Sequence, residues 1–200
     1  MGQEASEIDA VAPRVACHDR NSKSLNLPAL YLEYFDLVWR NLRRLGVPSL
    51  SLDDAVQDVF LVVHRRQGEF LGQSSTKTWI LGIVLRVAHD HRRSQRRHSA
   101  RVAKYAEQTI QQEDVPCPSD HVERREAAAL VRSILERFDE QERNVFVLVE
   151  LEEMSLREAA EATGLSLSTC QRRLVAARRA FDAALALHRA PPVRSAPHHD

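Results

Sequence analysis

Cysteine is scarce in this chain of 200 residues: Cys17, Cys117 and Cys170 are odd in number and far apart. No disulfide framework and no CxxC metal pair can be drawn from them, which fits a reducing compartment. No apolar run approaches the roughly 18 residues that a membrane span needs, and residues 1–30 lack the apolar core of a signal peptide. The expectation is a cytoplasmic protein without membrane insertion. The sequence also has no HExxH, no nucleophile elbow and no Gly-rich phosphate loop. Histidines at 89, 91 and 98 with Cys117 are the remaining candidates for a metal-dependent enzyme. Helical spacing opposes that reading, because His89 and His91 are two positions apart and point about 200° away from each other. Neither catalysis nor a cofactor is expected.

Net charge is absent as well, with 28 Lys and Arg against 28 Asp and Glu. The average conceals segregation. Between Trp79 and Lys104 stand Arg86, Arg92, Arg93, Arg96, Arg97, Arg101 and Lys104 against Asp90 alone. Residues 127–166 are acidic, and from Leu167 the chain turns basic again through Arg172, Arg173, Arg178, Arg179 and Arg189. Salt screens each patch over roughly 10 Å, so local charge outweighs the sum when a polyanion binds. Two basic patches separated by acid are compatible with DNA.

Apolar periodicity divides the chain. Residues 1–26 are polar and aperiodic and read as a disordered arm. A first helix follows, with Leu30, Tyr34, Phe35, Val38, Leu42 and Leu45 at helical spacing, Pro28 near its start and Gly46 at its end. A second begins at a Ser51 cap, has Asp53 and Asp54 in its first turn, and buries Ala55, Val56, Val59, Phe60 and Val63. After the loop "EFLGQSSTK", a third helix starts near Thr76 and carries Trp79, Ile80, Ile83, Val84, Val87 and Ala88. The pattern fades after Ser94, and "QQEDVPCPSD" marks a linker. A second helical group then runs through Ala128, Val131, Ile134, Leu135 and Phe138, continues with Val145, Phe146, Leu148 and Val149, and ends in "SLREAAEATGLSLSTCQRRL" (155–174).

That last stretch has the spacing of a helix-turn-helix. Ala159, Ala160 and Ala162 permit close helix crossing, Gly164 ends the first helix with positive φ, Leu165 serves as a buried turn residue, and Ser166 caps the second. Cys170, Leu174, Ala177 and Phe181 recur at three and four residues and face the core. Ser168, Thr169, Gln171, Arg172 and Arg173 then project where a recognition helix meets base edges in the major groove. A helical hairpin with a solvated basic face is the competing reading of the same spacing. For Cys170 a buried small hydrophobe is expected rather than a reactive thiol.

Three segments together resemble bacterial sigma factors of the extracytoplasmic-function group of the sigma-70 family: "DDAVQDVFLVVHR" (53–65), "TWILGIVLRVAHDHRR" (78–93) and "QERNVFVLVELEEMSLREAAEATGLSLSTCQRRLVAARRAF" (141–181). The resemblance implies an all-α chain of two small helical domains joined by a flexible linker, the C-terminal one a helix-turn-helix. Its bounds would be an arm at 1–26, a region 2-like domain at 27–97, a linker at 98–122, a region 4-like domain at 123–188 and a disordered tail at 189–200.

Roles follow from the same resemblance. Asp53, Asp54, Gln57 and Asp58 would bind core RNA polymerase through the clamp coiled coil of its beta-prime subunit. Phe70, Gln73, Ser74 and Ser75 would hold a base of the melted −10 strand, with Arg86, Arg92, Arg93, Arg96 and Arg97 along its phosphates. For Phe70, hydrophobic anchoring of the loop is the equal alternative, and Trp79 is expected in the core. Ser168, Thr169, Gln171, Arg172, Arg173 and Arg178 would read −35 duplex. An anti-sigma factor is the further implied partner. The chain departs from the family at Arg86, where an Asn often frames the base pocket, and at Phe138 and Asp139, where Leu-Pro is usual. A transcriptional regulator that binds DNA without polymerase is the alternative function. It would leave the acidic and basic helices of the first domain without a purpose.

Overall fold

A computed structural model of the chain describes residues 26–102 and 122–189, and every regular element among them is helical. Arm residues 1–25, linker residues 103–121 and tail residues 190–200, with Cys17, Lys104 and Cys117, lie outside the described residues.

Helix α1 spans Leu27–Arg44. Asn26 opens it by accepting from the Ala29 N–H, and Pro28 occupies a first-turn position whose missing N–H leaves nothing unpaired. Gly46, at φ 85°, lets the chain turn away in the left-handed region. Helix α2 spans Leu52–Arg66 after a single 3₁₀ turn at Ser49–Ser51. The Ser51 cap foreseen from the sequence is not made: Ser51 closes the 3₁₀ turn and its side chain makes no capping bond. Asp53 and Asp54 still place negative charge at the positive end of the helix, and Arg65 and Arg66 sit at the other.

Helix α3 runs Thr76–Val102 and continues through residues where the apolar pattern fades. Val38, Leu42, Val59, Val63, Ile80 and Val84 are fully buried between these three helices.

The C-terminal domain comprises α4 (Val122–Leu135), α5 (Glu140–Phe146), α6 (Leu156–Thr163) and α7 (Leu167–Arg189). Asp139 caps α5 by accepting from Glu142 N at 2.9 Å. Past Phe146 the helix widens into a π segment, Val147–Leu151, closed by Glu152 N donating to Val147 O at 3.0 Å. Phe146 forms the centre of this domain. It meets Phe138 edge-on with centroids 5.5 Å apart and stacks on Phe181 at 5.0 Å.

The two domains pack on each other and share one apolar cluster. Helix α3 lies along α6. A Cβ on Gly82 would sit 3.5 Å from the Ala162 carbonyl oxygen, an ordinary van der Waals contact, so the α6 backbone lies close against this face of α3. Leu81 and Leu85, outside the stripe read from the sequence, are buried too, and Leu85 borders a cleft with Asn144 and Ala162. A helix that is apolar on more than one face needs cover on more than one face. No helix among the described residues is long and apolar enough to cross a membrane.

Candidate nucleic-acid and partner interfaces

The helix-turn-helix is built by local bonds. Ser155 and Glu158 form a capping box: Ser155 Oγ accepts from Glu158 N at 3.3 Å, and Glu158 Oε2 accepts from Ser155 N at 2.9 Å. The hydrogen bonds from the Ser155 hydroxyl and N–H hold the Glu158 carboxyl below its ordinary value. The S-x-x-E signal was present in the sequence and was not read. Gly164 takes φ 70° at the turn. Ser166 Oγ accepts from Thr169 N at 3.2 Å and so caps α7.

Cys170 and Ala177 are fully buried and Leu174 nearly so, while Leu165 is half-buried beside Cys170. Ser168, Gln171 and Arg172 are left exposed on the outer side, with Thr169 half-buried. Arg173 and Arg178 have protein partners. Arg173 Nη1 reaches Asp139 Oδ2 at 2.7 Å and Glu142 Oε1 at 3.5 Å. Arg178 Nη2 reaches Glu150 Oε1 at 2.7 Å. These ion pairs tie α7 to α5 and to the π segment.

In the first domain, Phe70 packs against Trp79 with centroids 5.1 Å apart, and both remain half-buried. Gln73 is exposed and Ser74 half-buried. Ser75 has a structural duty: its Oγ accepts from Thr78 N at 3.0 Å and thereby caps α3. Arg86, Arg93, Arg96 and Arg97 are exposed along α3.

Arg92 turns inward instead. Expected on the phosphate track, it is 5% exposed, and its guanidinium donates to Leu45 O at 2.7 Å and to Glu140 of the other domain. Val84, Ala88 and Arg92 stand four apart, so the inward stripe of α3 simply ends on a cation.

Asp53, Asp54, Gln57 and Asp58 are all exposed on α2. Asp53 and Gln57 border a groove of about 560 Å³ whose walls are apolar, with Tyr31, Phe35 and Phe60 among them. Tyr31 and Leu61, 44% and 43% exposed, add apolar surface there that the sequence reading did not single out. Asp58 Oδ2 pairs with His91 Nε2 at 2.9 Å, and His89 Nδ1 with Glu140 Oε1 at 2.6 Å, so both histidines have carboxylate partners.

Polar ties cross between the domains, and two of them, among the described residues, centre on buried charged side chains. In one, Arg92 and Arg143 converge on the carbonyl of Leu45 at the C-terminal end of α1, where the helix carries partial negative charge. Arg143 also donates to the Leu135, Glu136 and Phe138 carbonyls at the end of α4. Burial lowers both guanidinium pKa values from the ordinary range. Burial alone would raise the Glu140 carboxyl, but the His89 hydrogen bond and the Arg92, His89 and Arg96 charges outweigh it and hold it below its ordinary value. A carboxyl depressed in this way contributes stability that is complete above its unfolded value and fades as pH falls through the lower folded value.

In the other tie, Glu152 of the C-terminal domain is 6% exposed and takes three donors from the N-terminal domain. Asn41 Nδ2 donates at 3.0 Å, Arg44 Nη1 at 2.7 Å, and Lys77 Nζ stands 3.4 Å from the second carboxylate oxygen. Lys77 also donates to the Glu152 carbonyl at 2.6 Å. Neither tie was read from the sequence.

Comparisons with known proteins agree with this two-part architecture. The family described as Sigma-70 region 2 matches residues 30–98, and that described as Sigma-70, region 4 matches residues 128–181. The chain is 33% identical over 144 residues to the RNA polymerase sigma factor NccH of Alcaligenes xylosoxydans xylosoxydans, an alignment that covers 72% of this chain and 77% of the relative. It is 28% identical to the RNA polymerase sigma-H factor of Pseudomonas aeruginosa, over 78% of this chain and 84% of that one. Among solved structures, the sigma factor RpoE of Bartonella quintana, solved with the anti-sigma factor NepR, shares the fold at a TM-score of 0.66 and 17% identity, covering 81% of this chain and 98% of that chain. CnrH, solved with the cytosolic domain of CnrY, does so at 0.59 and 24% identity, covering 80% and 88%.

Proposed function

The chain belongs to the extracytoplasmic-function group of the sigma-70 family and is an RNA polymerase sigma factor that directs transcription initiation; from that premise we propose how its surfaces divide the work. Members of the family are generally not enzymes, and bond-making belongs to the polymerase. Helix α2 docks core RNA polymerase, at the clamp coiled coil of the beta-prime subunit, through Asp53, Asp54, Gln57 and Asp58. The loop from Phe70 to Ser75, with Arg86, Arg93, Arg96 and Arg97, holds the melted −10 strand. Ser168, Thr169, Gln171 and Arg172 read −35 duplex, with Arg173 and Arg178 beside them. The factor works in the cytoplasm, and an anti-sigma factor covers these surfaces until a signal arrives. The functional units are 27–97 and 123–188, with 98–122 between them.

One observation carries the reading: a single chain holds both an exposed acidic helix beside an apolar groove and an exposed polar recognition face on a capped helix-turn-helix. A regulator independent of polymerase would need only the second. Initiation assays with core polymerase on genomic fragments test the whole, since absence of any specific transcript would refute it.

Two variants test the division. Gln171→Ala or Arg172→Ala is expected to weaken −35 binding by about 1–3 kcal/mol and leave core binding intact, measured by anisotropy on a promoter duplex. Unchanged promoter selectivity in both would count against the recognition face. Asp58→Arg reverses a charge that is 55% exposed in its side chain, so the fold tolerates it. Holoenzyme formation in a pull-down is expected to drop, and wild-type recovery of core would remove Asp58 from the docking surface.

A further inference from the structure

We propose that Asn41, Arg44 and Lys77 form a phosphate cradle for the single strand of melted promoter DNA, and that Glu152 fills this cradle as a carboxylate stand-in while the two domains are closed. The inference rests on the sigma-factor reading and adds three residues to its DNA-binding surface, with a residue that masks them.

Chemistry is the first support. The cradle offers a guanidinium, an ammonium and an amide N–H to one anion, all within 3.4 Å of the Glu152 carboxylate oxygens. Arg and Lys in such an arrangement bind phosphate oxygens as readily as carboxylate oxygens. Position is the second. Lys77 lies in the first turn of α3, two residues past Ser75 and directly after the exposed loop that holds Phe70 and Gln73. The positive end of a helix of 27 residues adds to the attraction for an anion there. A strand held by the loop would therefore run its backbone past this cradle.

Reach is the third support. Promoter elements named −35 and −10 are roughly 25 base pairs apart, about 85 Å along a duplex. A compact chain of this length is only about 40 Å across. The closed molecule cannot engage both elements, so the domains must part, and parting withdraws Glu152 from the cradle.

The closed state is also poised to open. Asn41 Oδ1 and Arg92 Nε are buried at the domain boundary and find no protein partner among the described residues. Glu153, next to the masking residue, is held at φ 57°, where a residue other than Gly is strained.

The test uses the full chain, free and with core polymerase. The probe is a fluorescent single-stranded oligonucleotide of the −10 non-template strand from a promoter the chain itself initiates. Glu152→Gln removes the anion. Gly82→Leu opens the domains by another route, by forcing α6 away from α3. Both free variants are expected to show a larger radius of gyration in small-angle scattering and at least tenfold tighter probe binding than wild type. Adding Lys77→Ala to either is expected to cancel most of the gain and to reduce the salt dependence of binding.

Equal affinity with and without Lys77→Ala would overturn the cradle, because opening alone would then account for the gain. Failure of both variants to expand or to bind tighter would overturn the mask. If wild-type holoenzyme still initiates, that failure leaves the sigma-factor reading standing. If wild-type chain supports no initiation, the reading itself fails and the inference with it.

Discussion

Phe146→Ala is expected to cost the C-terminal domain about 3–5 kcal/mol, the usual range for removing a buried aromatic ring. Phe146 is 4% exposed and touches rings from two other segments, Phe138 after α4 and Phe181 on α7. The edge-on and stacked pairs are each worth about 0.5–1.5 kcal/mol beyond area burial, and both are lost together. The site cannot easily collapse, because Val145, Val147 and Leu148 around it are also fully enclosed. Urea denaturation followed by helical ellipticity reads the effect, with Phe181→Ala as the milder comparison because that ring is only half-buried. A midpoint shift smaller for Phe146→Ala than for Phe181→Ala would contradict the assignment of the domain centre.

Arg92→Ala is expected to lower stability by about 2–4 kcal/mol, somewhat less than the full cost of orphaning a buried charge. The discount has two reasons. Glu140, its partner, keeps the bond to His89 and a side chain that is 28% exposed. Arg143 also still reaches Leu45 O at 3.2 Å. Arg93→Ala, one residue on and exposed, is expected to move stability by no more than about 0.5 kcal/mol. The pair separates a structural cation from a DNA-facing one: Arg93→Ala should lose affinity for the single strand and Arg92→Ala should lose the fold first. Denaturation midpoints that are equal for the two variants would sink the distinction.

Much of the fold was legible because its signals are local. Pro28 near the start of α1, Gly46 and Gly164 in the left-handed region, and Cys170 and Leu174 turned inward all follow from spacing and backbone preference. Ser51 misled because a Ser before acidic residues fits a cap, yet the chain enters α2 through a 3₁₀ turn that already sets its direction. Arg92 misled because its neighbours are basic and exposed, although it stands four residues after Ala88 on the buried stripe.

The ties between domains were out of reach for a different reason. Asn41 and Glu152 are 111 positions apart, and nothing in the sequence pattern around either one names the other. The second apolar face of α3, with Leu81 and Leu85, was the one local hint that something covers it. Of the DNA-facing set, Ser168, Gln171 and Arg172 stand exposed, while Arg173 and Arg178 are held by acids that only the folded chain brings near.

The π segment Val147–Leu151 carries a consequence for how mutations would couple the domains. Its wider turn takes about one residue more than an α turn, so it acts as a vernier between α5 and Glu152. Each residue of helix advances the azimuth by about 100°. Deleting one residue there would let the α repeat resume and swing Glu152 out of alignment with Asn41, Arg44 and Lys77, with every interacting side chain still present. The rotational phase of one helix, rather than the identity of its residues, decides whether the two halves of this molecule can lock.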